Sequence, residues 1–66
     1  MKRFSVGQKW VMTDPVCGTF SGEVVNIFDE GQSGTVVITD DRDNIVDTFT
    51  GKAADFQARG EWQSID

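Results

Sequence analysis

The sequence predicts an all-β fold, a single five-stranded small barrel. Three observations carry that prediction. The chain has 66 residues, enough for one domain and one core. Its apolar residues recur mainly with a period of two rather than 3.6, as in strands. Glycines and polar clusters break these runs at short, regular intervals, the spacing of a barrel or sandwich. Closure into a barrel is the economical arrangement at this length, because it removes sheet edges that would otherwise aggregate.

The elements follow in order. Gln8 to Met12 reads as a first strand, ended by Asp14-Pro15, since proline cannot donate to a ladder and restricts the residue before it. Gly18 to Phe28, "GTFSGEVVNIF", reads as a long second strand of β-branched and aromatic residues. Gly22 within it predicts a bulge or sharp bend, the device by which a long strand curls around a small barrel. Asp29 to Gly34 is a loop with two glycines. Thr35 to Thr39 is the clearest strand. Asp40-Asp41-Arg42-Asp43-Asn44 is a polar turn whose side chains can hydrogen-bond their own backbone. Ile45 to Thr50 is a fourth strand, hairpinned to the third and closed by Gly51. Lys52 to Arg59 is the single helical segment, rich in alanine and free of β-branched residues, with Phe56 directed inward and Gly60 as terminator. Glu61 to Ile65 alternates polar and apolar and makes a final strand.

Four strands, one helical turn and a last strand make an order that resembles the SH3-like small barrel. The stretches "VGQKWV", "GTFSGEVVNI" and "GTVVITDDRDN" look like the opening strands of Tudor-type and KOW-type modules. The resemblance covers most of the chain and implies a fold, not a function.

A domain this small buries only about 60% of its unfolded surface and usually needs a further staple. With one cysteine and no histidine, neither an internal disulfide nor a tetrahedral zinc site can be built within one chain. Oligomerisation is the staple that remains. The net charge is −5, and the second half carries Arg42, Lys52 and Arg59 against seven acids. Phosphate binding needs basic residues that release counterions, so a nucleic-acid partner is not expected. The acidity serves solubility, or offers an acidic face to a basic partner. The short segment Phe4-Ser5-Val6 after Met1-Lys2-Arg3 is too brief for a signal-peptide core, and no apolar run is long enough to span a membrane. A lone thiol then fits a reducing cytoplasm. Met1 opens the chain and Asp66 follows the last strand, which reads as a complete freestanding domain of the size common among phage and other mobile-element accessory products.

"DPVCG" at Asp14 to Gly18 resembles a segment of YHS domains, modules of metal-handling proteins in which the cysteine joins further cysteine or histidine ligands. Here Cys17 has no such partner downstream. It also lacks the base or positive neighbour that would activate a nucleophilic thiol. It reads as a small residue after a turn. The turn Asp40 to Asn44 does not match a calcium loop, because Ile45-Val46 follows where glycine is required. Glu23 with Asp29-Glu30 would be a carboxylate pair without a cleft, since ligand pockets run to about 300–1,000 Å³. Gly31 to Gly34 is not a phosphate loop. No metal and no cofactor is expected, and the parts for general catalysis are missing.

Two tryptophans and five phenylalanines exceed what one tiny core usually needs. Most belong inside. The alternative is that one or two, Trp62 first, sit exposed at a ligand or partner surface, where tryptophan is enriched. Trp10 and Trp62 fall on the first and last strands, which are neighbours in an SH3-like barrel. The expected function is a non-enzymatic binding module acting by protein–protein contact or self-association, through Trp10, Trp62 and the turn carboxylates Asp40, Asp41 and Asp43. The alternative is a small ligand, a nucleotide or a cation, held at an oligomer interface. A nucleotide would require Lys9, Arg42, Lys52 and Arg59 to converge from several chains. A cation would sit among aromatic rings.

Overall fold

The computed structural model describes residues 3–65; Met1, Lys2 and Asp66, which belong to the expected single domain, lie outside them. The strands are β1 (Lys9–Asp14), β2 (Gly18–Phe28), β3 (Ser33–Thr39), β4 (Ile45–Lys52) and β5 (Gln63–Ser64), with a helix α1 (Ala53–Ala58) before the last. They form one antiparallel sheet in the order β4-β3-β2-β1-β5. The all-β class, the five strands and the helical turn before β5 are as the sequence predicts. The first and last strands are neighbours, with Trp10 opposite Ser64 and Val11 opposite Gln63. Closure is a different matter: β4 and β5 are the two sheet edges and share no ladder.

Alternation assigns the faces. In β3, Gly34, Val36 and Ile38 are buried and their neighbours are not. Their partners Val24, Gly22, Phe49 and Gly51 lie on the same inner face. A one-residue bulge in β2 at Val25 then changes the phase, so that Ile27 rather than Asn26 turns inward. A second bulge in β4, at Val46, does the same near the β3–β4 turn.

The bend expected at Gly22 is thus displaced to Val25, and Gly22 has another role. A Cβ there would stand 2.9 Å from Val36 Cγ1 and 3.5 Å from the Trp62 ring. The glycine is the floor on which the inner aromatics rest.

Phe56 of α1 is fully buried and is the hub of the core. Its ring stacks on Trp62 at 4.8 Å and meets Phe49 at 5.2 Å, Phe4 at 5.7 Å and Trp10 at 5.8 Å between centroids. The edge-on contacts suit the ring quadrupole. Phe4 closes the core from the N-terminal side. Its N–H donates to the Gly31 carbonyl at 2.6 Å. Gly31 adopts φ +93°, and a Cβ there would meet the Phe4 carbonyl at 2.6 Å, so only glycine fits.

Boundaries move for identifiable reasons. The helix starts at Ala53, because Lys52 is extended (φ −78°, ψ 146°) and continues β4 through Gly51. The last strand is two residues, not five, because the Trp62 carbonyl accepts the Gln57 side-chain amide at 3.2 Å instead of joining the ladder. Gly60 lies past the helix without a left-handed φ. What it supplies is space, since a Cβ would come 2.7 Å from Met12 Sδ. Among the described residues no helix is long and apolar enough to cross a membrane.

Candidate functional site

The two tryptophans are core residues. Trp10 is 4% and Trp62 7% exposed, both inside the aromatic cluster around Phe56. Trp10 Nε1–H donates to Gln8 Oε1 at 3.1 Å, which satisfies its one polar group in place. The expectation of a tryptophan displayed to a partner is therefore corrected. The helix contributes a ring rather than a small side chain at Phe56, and that ring needs large flat neighbours on both sides. The exposed aromatic is Phe28, at the far end of β2. Its position just before Asp29-Glu30 was the signal available in the sequence.

The turn carboxylates divide by role. Asp40 Oδ1 accepts the N–H of Arg42 at 2.8 Å and of Asn44 at 3.0 Å, and Asp40 N–H donates to the Asn44 carbonyl at 2.9 Å. These bonds, from Asn44 first and then Arg42, hold its carboxyl below the usual carboxylate range. Asp40 closes the turn. Asp41 and Asp43 remain exposed, with Asp43 in the left-handed region at φ +64°. The "DPVCG" turn is built in the same way. Asp14 Oδ1 accepts the N–H of Val16 at 2.7 Å and of Cys17 at 3.0 Å, which lowers its pKa, Cys17 contributing most. Cys17 itself is an exposed free thiol in that turn. The two turns are neighbours: a Cβ on Gly18 would lie 3.8 Å from Asp41 Oδ2. Among the described residues no group of three or more His, Cys, Asp or Glu side chains is arranged to hold a metal.

Two concavities stand out among the described residues. The first is a groove of about 370 Å³ on the inner side of the sheet, where α1 does not reach. Met12, Phe20, Ile38, Val46 and the edge of Trp62 line it. It spans the gap between the edge strand β4 and the segment leading into β5, the gap that closure would have sealed. Asp47 and Arg59 flank it, paired at 3.7 Å, and Arg59 also lies 5.2 Å over the Phe49 ring. The bulge is what presents Val46 here, 51% exposed. Thr48 N–H, one residue along the edge, is occupied by Asp47 Oδ1 at 2.8 Å. The β4 edge is thereby blunted against strand addition, and the groove rather than the edge is the accessible feature.

The second is a cleft of about 350 Å³ on the opposite face of the sheet, lined among others by Lys9, Glu23, Val37, Asp43 and Ile65. Asp43, expected at a binding surface, does border a concavity. Trp10 lines it from beneath, whereas Trp62 belongs to the groove. A chain of this length leaves little room for a cleft, and both hollows fall at the lower end of the usual pocket range of about 300–1,000 Å³.

No family model matches the chain, and no curated protein or solved structure matches it.

Proposed function

We propose that this chain is a non-enzymatic binding module, a small barrel of the SH3-like kind left open at one seam, which takes an apolar side chain of a partner protein into that seam. One observation carries the reading: the groove formed by Met12, Phe20, Ile38, Val46 and Trp62 is apolar at its base and flanked by the Asp47–Arg59 pair at its rim. Its volume of about 370 Å³ suits one anchoring side chain, the arrangement in which a few buried apolar groups supply most of a complex's affinity. Met12 adds adaptability, because an unbranched thioether adjusts to the shape it meets. The net charge of −5 favours a segment with lysine or arginine beside the apolar anchor. A lone thiol fits the reducing cytoplasm as its compartment.

The test is selection of displayed random peptides on the full chain, followed by binding measurements with Val46→Asp. Enriched peptides should carry an aromatic or branched aliphatic residue next to a basic one. Val46→Asp should lose them while its circular dichroism stays that of the parent, since Val46 is outside the core cluster. Peptides that bind Val46→Asp as well as the parent would rule out the groove.

A further inference from the structure

We infer that the outer face of the sheet is an interface between two copies of this chain. It is independent of the inner groove and rests on one cross-strand row. Lys9 pairs with Glu23, and Glu23 with Val37. On the other side of Lys9 stands Ile65, whose N–H donates to the Lys9 carbonyl at 3.1 Å. The four residues line the same cleft. Read across the sheet, the row is apolar, basic, acidic, apolar.

That order is its own complement. In a two-fold interface the same patch serves both partners, so residue i meets j and j meets i. A two-fold axis along the strands, between β1 and β2, brings Lys9 of one copy over Glu23 of the other and Ile65 over Val37. Both charges and both apolar ends are matched by one operation. A partner of different sequence would have to supply the same order by chance, whereas a second copy supplies it by symmetry. Within one chain the two charges do not satisfy each other: among the described residues the side-chain ion pair is Asp47–Arg59, not Lys9–Glu23.

The surroundings suit the same occupant. Val25, displaced outward by its bulge, is 49% exposed and Ile65 58%, both at this cleft. The molecule measures 34 × 20 × 19 Å. A standard interface takes about 800 Å² from each partner, on the order of one whole long face of so small a body. With a net charge of −5 the rest of the surface repels a second copy, so contact is favoured where a cation is available, and Lys9 is the basic residue that lines this cleft.

The experiment is sedimentation velocity on the full chain and three variants. The parent should sediment at twice its 7.3 kDa mass as concentration rises. Lys9→Glu and Glu23→Lys should each be monomeric, with parent-like circular dichroism. Mixed in equal amounts, the two should recover the dimer, because each then meets the opposite charge twice. Should either variant fail to fold, Ile65→Asp, at an exposed position just past β5, still tests the face, and it should be monomeric. A parent that stays monomeric at the highest concentration used for NMR overturns the inference. So does a dimer that every one of these substitutions leaves intact, or a mixture that stays monomeric. Native mass spectrometry showing a small molecule in the cleft of a monomer would assign the face to a ligand instead.

Discussion

The same strands make two different faces. On the inner face, Trp10, Gly22, Val24, Val36 and Ile38 meet a helix and a shell of rings. On the outer face, Lys9, Val11, Ser21, Glu23, Val37 and Thr39 stand in the alternate positions of the same registers, where Thr39 Oγ1–H donates to the Ser21 carbonyl at 3.5 Å. The inner face is decided by shape. Phe4, Trp10, Phe49 and Trp62 each touch Phe56, and glycine at position 22 leaves room where the Trp62 and Phe56 rings come close. The outer face is decided by order, a row of apolar and charged ends with no steric demand. A substitution inside should therefore act on folding, and one outside on association.

The largest effect that would break this contrast is at the hub. Phe56→Ala and Trp62→Ala each remove a ring from a packed cluster, which costs about 3–5 kcal/mol. A domain of this length has roughly 3–10 kcal/mol in total, so both variants should be largely unfolded by circular dichroism and NMR. A folded Trp62→Ala would return Trp62 to the surface role first expected of it. Next is Gly22→Ala. Its methyl meets Val36 Cγ1 at 2.9 Å, and overpacking of that kind costs about 1–3 kcal/mol, readable as a lower urea midpoint with an unchanged slope. An unchanged midpoint would show that the floor of the core yields.

The two Asx-type turns sharpen the comparison through pH. Asp14 and Asp40 have folded-state pKa values below their ordinary 3.8. A carboxylate lowered in the folded state stabilises it above the unfolded pKa, and that contribution disappears as pH falls through the folded value. Urea midpoints should therefore drop below about pH 4. The double variant Asp14→Asn with Asp40→Asn should narrow the difference between the neutral and acid midpoints. An identical difference would assign acid sensitivity to other carboxylates. The smallest effect is at the rim of the groove. Arg59→Ala removes an exposed ion pair at 3.7 Å and a cation–ring contact at 5.2 Å, together about 1 kcal/mol or less. A larger loss of stability would mean that Arg59 braces the open seam.

Much of the fold was legible because its signals are local. "TVVIT" is β-branched throughout and apolar at its centre, "GTFSGEVVNIF" is dense in β-branched residues, and β2 begins and ends where its glycine and its acidic loop place it. The polar turn was legible for the same reason: Asp40 bonds to amides within four positions of itself. The bulges were not, because an extra residue is visible only against the register of the partner strand. Val25 and Val46 look like any other strand valine until Val36, Thr35, Ile38 and Thr39 are set beside them. The last strand is shorter than "EWQSI" predicts by its alternation, because the competing bond from Gln57 to the Trp62 carbonyl comes from the helix.

The candidate sites were harder. Trp10 and Trp62 were identified as important without showing which way they face. Chemistry marks a tryptophan as a strong binder of apolar surface but does not say whether that surface is its own chain or another. The sequence by itself determined the all-β class, the order of elements and the absence of histidine and of a second cysteine, all of which depend only on residue type and near neighbours. Only the tertiary structure decided that the rings converge on Phe56, that the sheet stays open between β4 and β5, and that Ile65, Lys9, Glu23 and Val37 form one row. Those facts depend on pairing between residues far apart in the chain, and pairing is set by the register and curvature of the whole sheet.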